Sequence, residues 1–452
     1  MNNIFVTKKY YAQNLKVALP VILSLAGQSV VQMIDTMMVG RLGPVPLAAV
    51  SLSCSIITNV MMIGMGIAMA LTPLVGVRFV QNDNKAVASL FQNSLLLNFV
   101  IALLSTLLLV GIKSLLPYMG QPASVLSSLD GYYYWVTFSL IPFMIFFAFK
   151  QFMEGLGNTL YSMLITIGCN ILNVFLNFGF IYGYMGFPEL GATGAGVATF
   201  VSRLAMPLSF LVIISCRKKY RYYLSAFSII KVSLTQICEL LKVGFPIATQ
   251  MTLELFSLTM ITIMMGWFGA ATLAANQIVQ TMIGFSFMIS NGVASASTIL
   301  VSHDYGRKNI LDIRLHTYAG MHIGVLVMIC FAFLYGFGGE LVARMFTANS
   351  EVVAVSAKLF IVVAFFEIFD GLQITSLGAL RGLAEVKYPM YYAFVSYILI
   401  AIPMGYVAAF VFDMGAQGVL AGFSFGLITA GMLFIRRFRR VVNTLKKQWQ
   451  NP

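Results

Sequence analysis

The chain is 452 residues long; 59% of the residues are hydrophobic and only 10% are charged. A soluble protein of this length carries about a quarter charged residues, so the composition excludes an ordinary soluble domain and predicts a polytopic membrane protein. The formal net charge is +13. A nucleic-acid-binding protein clusters its basic residues on one soluble face, whereas here they punctuate apolar segments, so we expect no nucleic-acid partner.

Twelve apolar stretches are long enough to cross about 30 Å of hydrocarbon. They lie near 17–39, 46–77, 89–111, 131–152, 159–184, 192–215, 243–267, 275–301, 319–338, 353–379, 389–411 and 416–436. The first stretch is too long for the apolar region of a signal peptide, so we interpret it as an uncleaved first span.

Lysine and arginine residues are concentrated in alternate connections between the predicted spans, among them the connection that holds Arg381 and Lys387. An even number of spans places both termini on one side of the membrane. The positive-inside rule then predicts that both termini and the central connection are cytoplasmic. We expect a multi-pass protein of the cytoplasmic (inner) membrane.

The two halves of the chain repeat one another. Residues 15–49 align without gaps to residues 241–275, and the register continues by pairing 62–75 with 288–301. We therefore predict an all-α protein of two homologous six-helix lobes, 1–216 and 237–452, joined by a cytoplasmic linker at 217–236. Parallel repeats of this kind are typical of secondary transporters. The basic, aromatic linker is interpreted as a connector that fixes topology, or alternatively as a segment that contacts anionic membrane lipids.

Two sequence motifs of common enzyme chemistries are missing. The sequence contains no GK dipeptide and no HExxH, so it shows no sign of ATP hydrolysis or of a zinc hydrolase site. The three histidines, His303, His316 and His322, are interpreted as interfacial residues rather than metal ligands. A membrane-embedded enzyme or receptor is kept only as an alternative.

Four predicted spans each present one polar stripe at helical spacing. The stripes are Gln28–Gln32–Asp35, Asn170–Asn173–Asn177, Gln250–Glu254–Ser257 and Glu367–Asp370–Gln373. A carboxylate inside hydrocarbon costs several kcal/mol unless it meets water, a partner or an ion. A helix-to-helix hydrogen bond would explain one such acid, but four stripes in two homologous halves indicate a polar cavity in each lobe. Arg203, in the middle of the sixth span, is a candidate internal counter-ion.

The stretches "MIDTMMVGRLG", "FPELGATGAGVAT", "FPIATQMTLELF" and "DGLQITSLGALRG" resemble the MATE family of multidrug and toxic-compound extrusion transporters over essentially the whole chain. The acid in span seven, Glu254, makes the chain similar to the NorM-type branch of this family rather than to the DinF-type branch, which lacks that acid. The resemblance implies two six-helix lobes and cation-coupled export of amphipathic, often cationic, aromatic compounds.

The resemblance also implies roles for individual residues. Glu254 and Asp370 match the cation-site carboxylates of the C-terminal lobe, and Asp35 matches the acid of the N-terminal lobe. The implied neighbours of Asp35 are Asn173, Asn177 and Thr199. The polar stripe of the first span adds Gln28 and Gln32 to the same predicted cavity. Glu367 stands where the family often has a glutamine, which adds a carboxylate one turn from Asp370. A Na⁺ ion could be held by Glu254 with Asp370, or by Asp35 with Asn173; otherwise the acids exchange H⁺.

We therefore predict an antiporter, driven by Na⁺ or H⁺, that exports lipophilic cationic drugs or dyes by alternating access of the two lobes. We expect no cofactor and a monomeric protein. A flippase for a lipid-linked precursor is the alternative within transport, but it would require several arginines in the cavity, and Arg203 alone is available. Asp35 is expected to lie close to Asn173, Asn177 and Thr199 in the outer half of its lobe.

Overall fold

The computed structural model describes residues 6–119, 122–227 and 231–450, and the regular secondary structure of these residues is entirely helical. The helices are α1 (Lys8–Gly40), α2 (Pro44–Ala68), α3 (Leu71–Val80), α4 (Asn84–Leu115), α5 (Ala123–Phe138), α6 (Leu140–Gly155), α7 (Thr159–Tyr182), α8 (Ala192–Cys216), α9 (Lys218–Ser225), α10 (Leu234–Gly266), α11 (Ala270–Gly306), α12 (Ile310–Phe346), α13 (Ser350–Gly382), α14 (Lys387–Ala393), α15 (Ile402–Tyr406) and α16 (Gly415–Gln450). Two short π-helical segments, Phe394–Ala401 and Val407–Val411, flank α15.

The described part of the chain contains twelve helical segments that are long and apolar enough to cross a membrane, which confirms the predicted fold class and span count. Four helices, α4, α7, α12 and α13, begin at a polar side chain that accepts a hydrogen bond from the first turn. Before α12, the Asn309 side chain accepts hydrogen bonds from the backbone N–H groups of Leu311 and Asp312, which satisfies donors that a helix start leaves unpaired.

Two compact units make up the fold. The N unit is Leu23–Ala248. In it α8 packs against α5, α6 and α7, while α2 packs against α5 and α4 packs against α6. Its apolar core includes the fully buried Tyr133 and Leu140. This arrangement places one face of α8 in the interior of the unit, where Ser202 is buried.

The C unit comprises Met1–Ile22 and Thr249–Pro452. Helix α13 is its central element and packs against α11, α12 and α16. Phe360 and Phe366 of α13 belong to the main apolar core. Because α13 is surrounded by helices, the acids Glu367 and Asp370 on its face are buried.

The compact units differ from the predicted lobes at two crossovers, where α1 and α10 each pass from one unit to the other. In the N unit, a Cβ on Gly66 of α2 would lie 2.5 Å from the Cα of Ala248 on α10. In the C unit, a Cβ on Gly292 of α11 would lie 3.1 Å from the backbone N of Ile22 on α1. The predicted register pairs Gly66 with Gly292, so the two close contacts are equivalent positions of the repeat. The repeat boundaries themselves stay a prediction.

Both crossover helices contain a proline close to the passage between units, Pro20 in α1 and Pro246 in α10. Proline removes a backbone donor and bends a helix locally. The carboxylates Asp35 and Glu254 lie on these same two helices, beyond the prolines in chain order. In both helices the proline therefore precedes the acid that the sequence predicts as a coupling residue.

The start of α1 is held in the C unit by side-chain hydrogen bonds. The Tyr10 hydroxyl donates to Asp312 Oδ1 at 2.7 Å, and His316 pairs with both Gln13 and Asp304. His316 is 5% exposed. His316 is therefore buried in the protein, where Asp304 and Gln13 accommodate its ring. The expectation that the histidines lie at the membrane interface stays a prediction.

The predicted linker contains helix α9, which packs on the N unit through two tyrosines. Asn158 Nδ2 donates to the Tyr220 hydroxyl at 2.9 Å, and the Tyr223 hydroxyl donates to Asn84 Oδ1 at 2.9 Å. Burial and the neighbouring tyrosines raise the pKa of Tyr223 above its usual value. Residues 228–230 of the linker lie outside the described residues.

Candidate cation and ligand sites

The N unit contains a cavity of about 230 Å³, which we call the N cavity. It is bounded by side chains of α1, α2, α5, α6, α7 and α8. The predicted residues among its lining are Gln28, Gln32, Asp35, Asn173, Thr199 and Arg203, together with Asn170 of the same α7 stripe. The apolar part of the lining includes Ile57, Met61 and Met206. Predicted polar residues of three helices, α1, α7 and α8, thus line the same cavity.

A chain of hydrogen bonds connects α8 to the carboxylate of Asp35. Asn173 Nδ2 donates to Ser202 Oγ at 3.2 Å, and Asn177 Nδ2 donates to Asn173 Oδ1 at 3.2 Å. Asn177 Nδ2 also donates to Asp35 Oδ1 at 2.5 Å. A charged acceptor makes the last bond the strongest of the three. Asp35 is therefore held by an amide donor, and its predicted proximity to Asn173 and Asn177 is seen in the structure.

Thr199 and Asn177 are less available to a ligand than the other predicted residues of the N cavity. The Thr199 hydroxyl donates to Ala195 O of its own helix at 2.9 Å, so only its remaining oxygen surface is available to a ligand. Asn177 is fully buried behind the cavity wall, and its Oδ1 has no hydrogen-bond partner among the described residues. Asn177 is thus placed to support Asp35 rather than to contact a ligand.

Arg203 of α8 presents a guanidinium to the N cavity. Its Nη1 donates to Ser139 Oγ at 2.9 Å, and its guanidinium carbon lies 4.8 Å from the ring centroid of Phe143. Cys54 and Tyr132, whose Sγ and hydroxyl lie 3.1 Å apart, line the same space. The N cavity thus holds one carboxylate and one guanidinium, each oriented by neutral partners.

The C unit gathers the remaining predicted acids around α13. Ser286 Oγ of α11 donates to Glu367 Oε1 at 2.9 Å, while Glu367 Oε2 is buried with no hydrogen-bond partner among the described residues. Electrostatically, the neighbours of Asp370 are Glu367 and Glu254. Three carboxyl groups on α10 and α13 are therefore close enough to influence one another in a medium of low dielectric constant.

Arg381 and Gln250 form a relay that ends on Glu254. Arg381 Nη2 donates to Gln250 Oε1 at 2.6 Å, and Gln250 Nε2 donates to Glu254 Oε2 at 3.0 Å. The sequence predicted that Arg381 lies in a connection between spans, whereas in the structure it lies in a helix. Helix α13 continues to Gly382, so Arg381 lies in its last turn and is only 9% exposed. The helix continues because no proline or cap interrupts it before Gly382.

The four predicted acids form no direct ion pair with a basic residue of the described part of the chain. Among the described residues, no lysine, arginine or histidine nitrogen lies within 4.0 Å of a carboxylate oxygen of Asp35, Glu254, Glu367 or Asp370. Nor do the described residues contain a group of three or more His, Cys, Asp and Glu side chains that could hold a metal ion. A site for Na⁺ would thus have to combine carboxylate, amide and hydroxyl oxygens, which is a donor set that suits hard cations.

Sequence reasoning missed four residues that the structure adds to these sites: Ser139, Ser202, Ser286 and Arg381. Ser202 was detectable, since it follows Thr199 by three residues and precedes Arg203 on the same helix. Ser139 lies between α5 and α6, and Ser286 lies on α11. Neither residue belongs to one of the four polar stripes, so no stripe pointed to them.

Comparison with known proteins agrees with this architecture. The family model described as MatE matches residues 20–178 and 246–407. The probable multidrug resistance protein NorM of Idiomarina loihiensis is 28% identical over 434 residues, covering 93% of this chain and 92% of the relative. The multidrug resistance protein NorM of Vibrio vulnificus is 29% identical, with 95% of each protein covered.

Solved structures share the fold at low sequence identity. The Vibrio cholerae MATE transporter VcmN in its bent form superposes with a TM-score of 0.87 at 18% identity, covering 97% of this chain and 98% of that one. The eukaryotic MATE transporter AtDTX14 gives a TM-score of 0.85 at 19% identity, covering 97% and 99%.

Twelve spans in two units, with acids on the inner helix faces, define a multi-pass membrane transporter rather than an enzyme. The chain belongs to the MatE family, and its similarity to several NorM proteins confirms the resemblance found in the sequence.

Proposed function

We propose that the chain is a multidrug efflux antiporter that exports amphipathic, cationic aromatic compounds in exchange for Na⁺ or H⁺. Relatives named as multidrug resistance proteins support the export of drugs. The observation that carries the coupling is the position of Asp35, which faces the N cavity and has no basic partner within 4.0 Å among the described residues.

Exchange follows from competition for this carboxylate. A carboxylate in a cavity of low dielectric constant is stabilised by any cation that reaches it. A positively charged drug and a coupling ion would both neutralise Asp35, so they exclude one another. If the ion enters from the outside and the drug from the cytoplasm, binding of one releases the other. The hydrogen bond from Asn177 keeps the carboxylate in place while its occupant changes.

The C unit would supply a second coupling group. Glu254, Glu367 and Asp370 carry up to three negative charges, while the Arg381 guanidinium reaches Glu254 only through Gln250. Such a group should take up a cation or a proton to reduce its internal repulsion. Glu367 adds one charge to this group, and we assign it to coupling together with Asp370.

The orientation of the protein in the membrane is also proposed. From the distribution of lysine and arginine among the connections, we propose that the protein lies in the inner membrane with both termini in the cytoplasm. Alternating access of the two repeats would expose the N cavity to one side at a time. The protein is proposed to act as a monomer with membrane lipids around its apolar surface.

Transport by the purified protein in liposomes tests this function. The liposomes contain a cationic rhodamine dye, and a Na⁺ gradient, a H⁺ gradient or neither is imposed, with protein-free liposomes as control. We expect dye movement to accelerate under one gradient only. A dye rate independent of both gradients would contradict coupling. Movement of a fluorescent anionic lipid between leaflets, without movement of dye, would favour the flippase instead.

A further inference from the structure

The guanidinium of Arg203 is oriented by two neighbours but is in direct contact with no carboxylate among the described residues. One hydrogen bond to Ser139 and the face of Phe143 set its orientation. Among the described residues, no carboxylate oxygen lies within 4.0 Å of its nitrogens. A guanidinium has five N–H donors, and the hydrogen bond to Ser139 uses one of them. The charge of Arg203 is therefore available to a group that enters the N cavity.

An unpaired guanidinium in this setting is a costly arrangement. Removing a charge from water without a partner is unfavourable by several kcal/mol. Arginine is also the residue best suited to planar, two-point recognition of carboxylates. Asp35 is not a direct partner of Arg203, because its carboxylate is bonded to Asn177 and lies farther than 4.0 Å from the guanidinium nitrogens. The two charges act on one another only across the cavity.

The rest of the N cavity suits an apolar ligand with two charged ends. Val31, Ile57, Met61 and Met206 supply apolar surface in the same space that holds the carboxylate and the guanidinium. A flexible sulfur-containing side chain such as methionine adapts to ligands of different shape. Because Asp35 and Arg203 line one cavity, the cavity favours molecules that carry both a cationic group and a carboxylate.

We propose that Arg203, with Ser139 and Phe143, forms an anion-accepting subsite of the N cavity, so that ligands with a carboxylate as well as a positive charge bind better than purely cationic ones. This subsite rests on the proposed function, in which the N cavity binds the exported compound. It adds a specificity-determining residue and narrows the ligand class to amphiphiles that contain both charges.

Binding to purified protein in nanodiscs tests the subsite without requiring transport. The probes are a rhodamine methyl ester, which is a cation, and the same dye with a free carboxylate. Fluorescence anisotropy at neutral pH gives the ratio of the two dissociation constants. We expect the wild-type protein to bind the free acid at least as tightly as the ester, and Arg203→Gln to shift the ratio at least tenfold toward the ester.

Two further variants keep the test decisive. Arg203→Lys keeps the charge but loses the planar donors, so it should shift the ratio by less than Arg203→Gln, and it serves if the glutamine variant does not fold. Arg217→Gln removes an exposed arginine at the end of the same helix, outside the N cavity, and should leave the ratio unchanged. An unchanged ratio in both Arg203 variants, or a wild-type preference for the ester, would overturn the subsite.

The lipid composition separates two sources of the anion. If a lipid headgroup occupies the subsite, the preference for the free acid should appear in neutral-lipid nanodiscs and disappear when anionic lipid is included; this result supports the subsite and identifies the lipid as its occupant. The two proposals also fail separately. Loss of gradient-driven dye transport with an intact acid preference removes the antiport function alone, whereas intact transport without that preference removes the subsite alone.

Discussion

Replacing Gly66 of α2 by alanine should destabilise the N unit, because the helix crossing leaves no room for a methyl group. The added Cβ would lie 2.5 Å from the Cα of Ala248 and 2.9 Å from its Cβ and backbone N. Since carbon atoms in contact prefer a separation of about 3.5–4.0 Å, α2 and α10 would have to move apart by roughly 1 Å. Backbone atoms supply the clash, so a change of side-chain rotamer cannot relieve it.

The size of the effect is measured against a matched glycine. Overpacking of this kind costs about 1–3 kcal/mol. Alanine also stabilises a helix relative to glycine by about 0.8–1.0 kcal/mol, which hides part of that cost. Gly111 of α4 has nothing within 4 Å of an added Cβ, so Gly111→Ala should show the helix gain alone. We therefore expect Gly66→Ala to be less stable than Gly111→Ala by about 1–3 kcal/mol.

Unfolding by titration with sodium dodecyl sulfate in mixed micelles, followed by far-ultraviolet circular dichroism, compares the two free energies of unfolding. Efflux should fall as well in Gly66→Ala, because α10 carries Glu254 beyond the displaced contact. Equal stability of the two alanine variants would refute the close crossing of α2 and α10 in the N unit.

Four further variants address the acids, the Arg381 relay and the linker helix. Glu254→Gln and Asp370→Asn should each abolish gradient-driven efflux in proteoliposomes at wild-type insertion; full efflux in either would remove that residue from the coupling group. Arg381→Met should lower the free energy of unfolding by about 1.5–3 kcal/mol, the value of a hydrogen bond to a charged group. The same detergent titration measures this change, and an unchanged free energy of unfolding would contradict the relay through Gln250. Tyr223→Phe should raise the hydrogen-exchange rate of α9 below pH 10. In the wild type, the Tyr223 hydroxyl stabilises the packing of α9 while it is protonated. Because the pKa of Tyr223 is raised in the folded protein, this stabilisation is fully present below the ordinary tyrosine pKa and is lost as the pH rises through the folded value.

Much of this fold could be predicted from the sequence, because hydrocarbon imposes a minimum span length and each of the twelve spans meets it. The stripe on α7 and the acid on α1 were also predictable as neighbours, since Asn173, Asn177 and Asp35 are polar residues that must meet inside an apolar unit. The structure shows these contacts, while the roles of the residues stay predictions until they are tested.

The crossovers could not be predicted in the same way. A gapless repeat shows that Gly66 and Gly292 are equivalent, but it does not show that each packs against the first helix of the other copy. Arg381 was misplaced for a related reason: a basic residue near the end of an apolar run has the same composition whether the helix stops before it or continues past it. Only the helix packing around α13 distinguishes the two.

The most direct test of the central claim is gradient-driven dye efflux by Asp35→Asn in proteoliposomes, beside the wild-type protein and Asp35→Leu. Asparagine keeps most of the hydrogen bonding to Asn177 and removes the charge. The proposed coupling role predicts that Asp35→Asn inserts and unfolds like the wild type but no longer responds to a Na⁺ or H⁺ gradient. Gradient-driven efflux at the wild-type rate in Asp35→Asn, with poor folding only in Asp35→Leu, would show instead that Asp35 merely fastens α1 to α7.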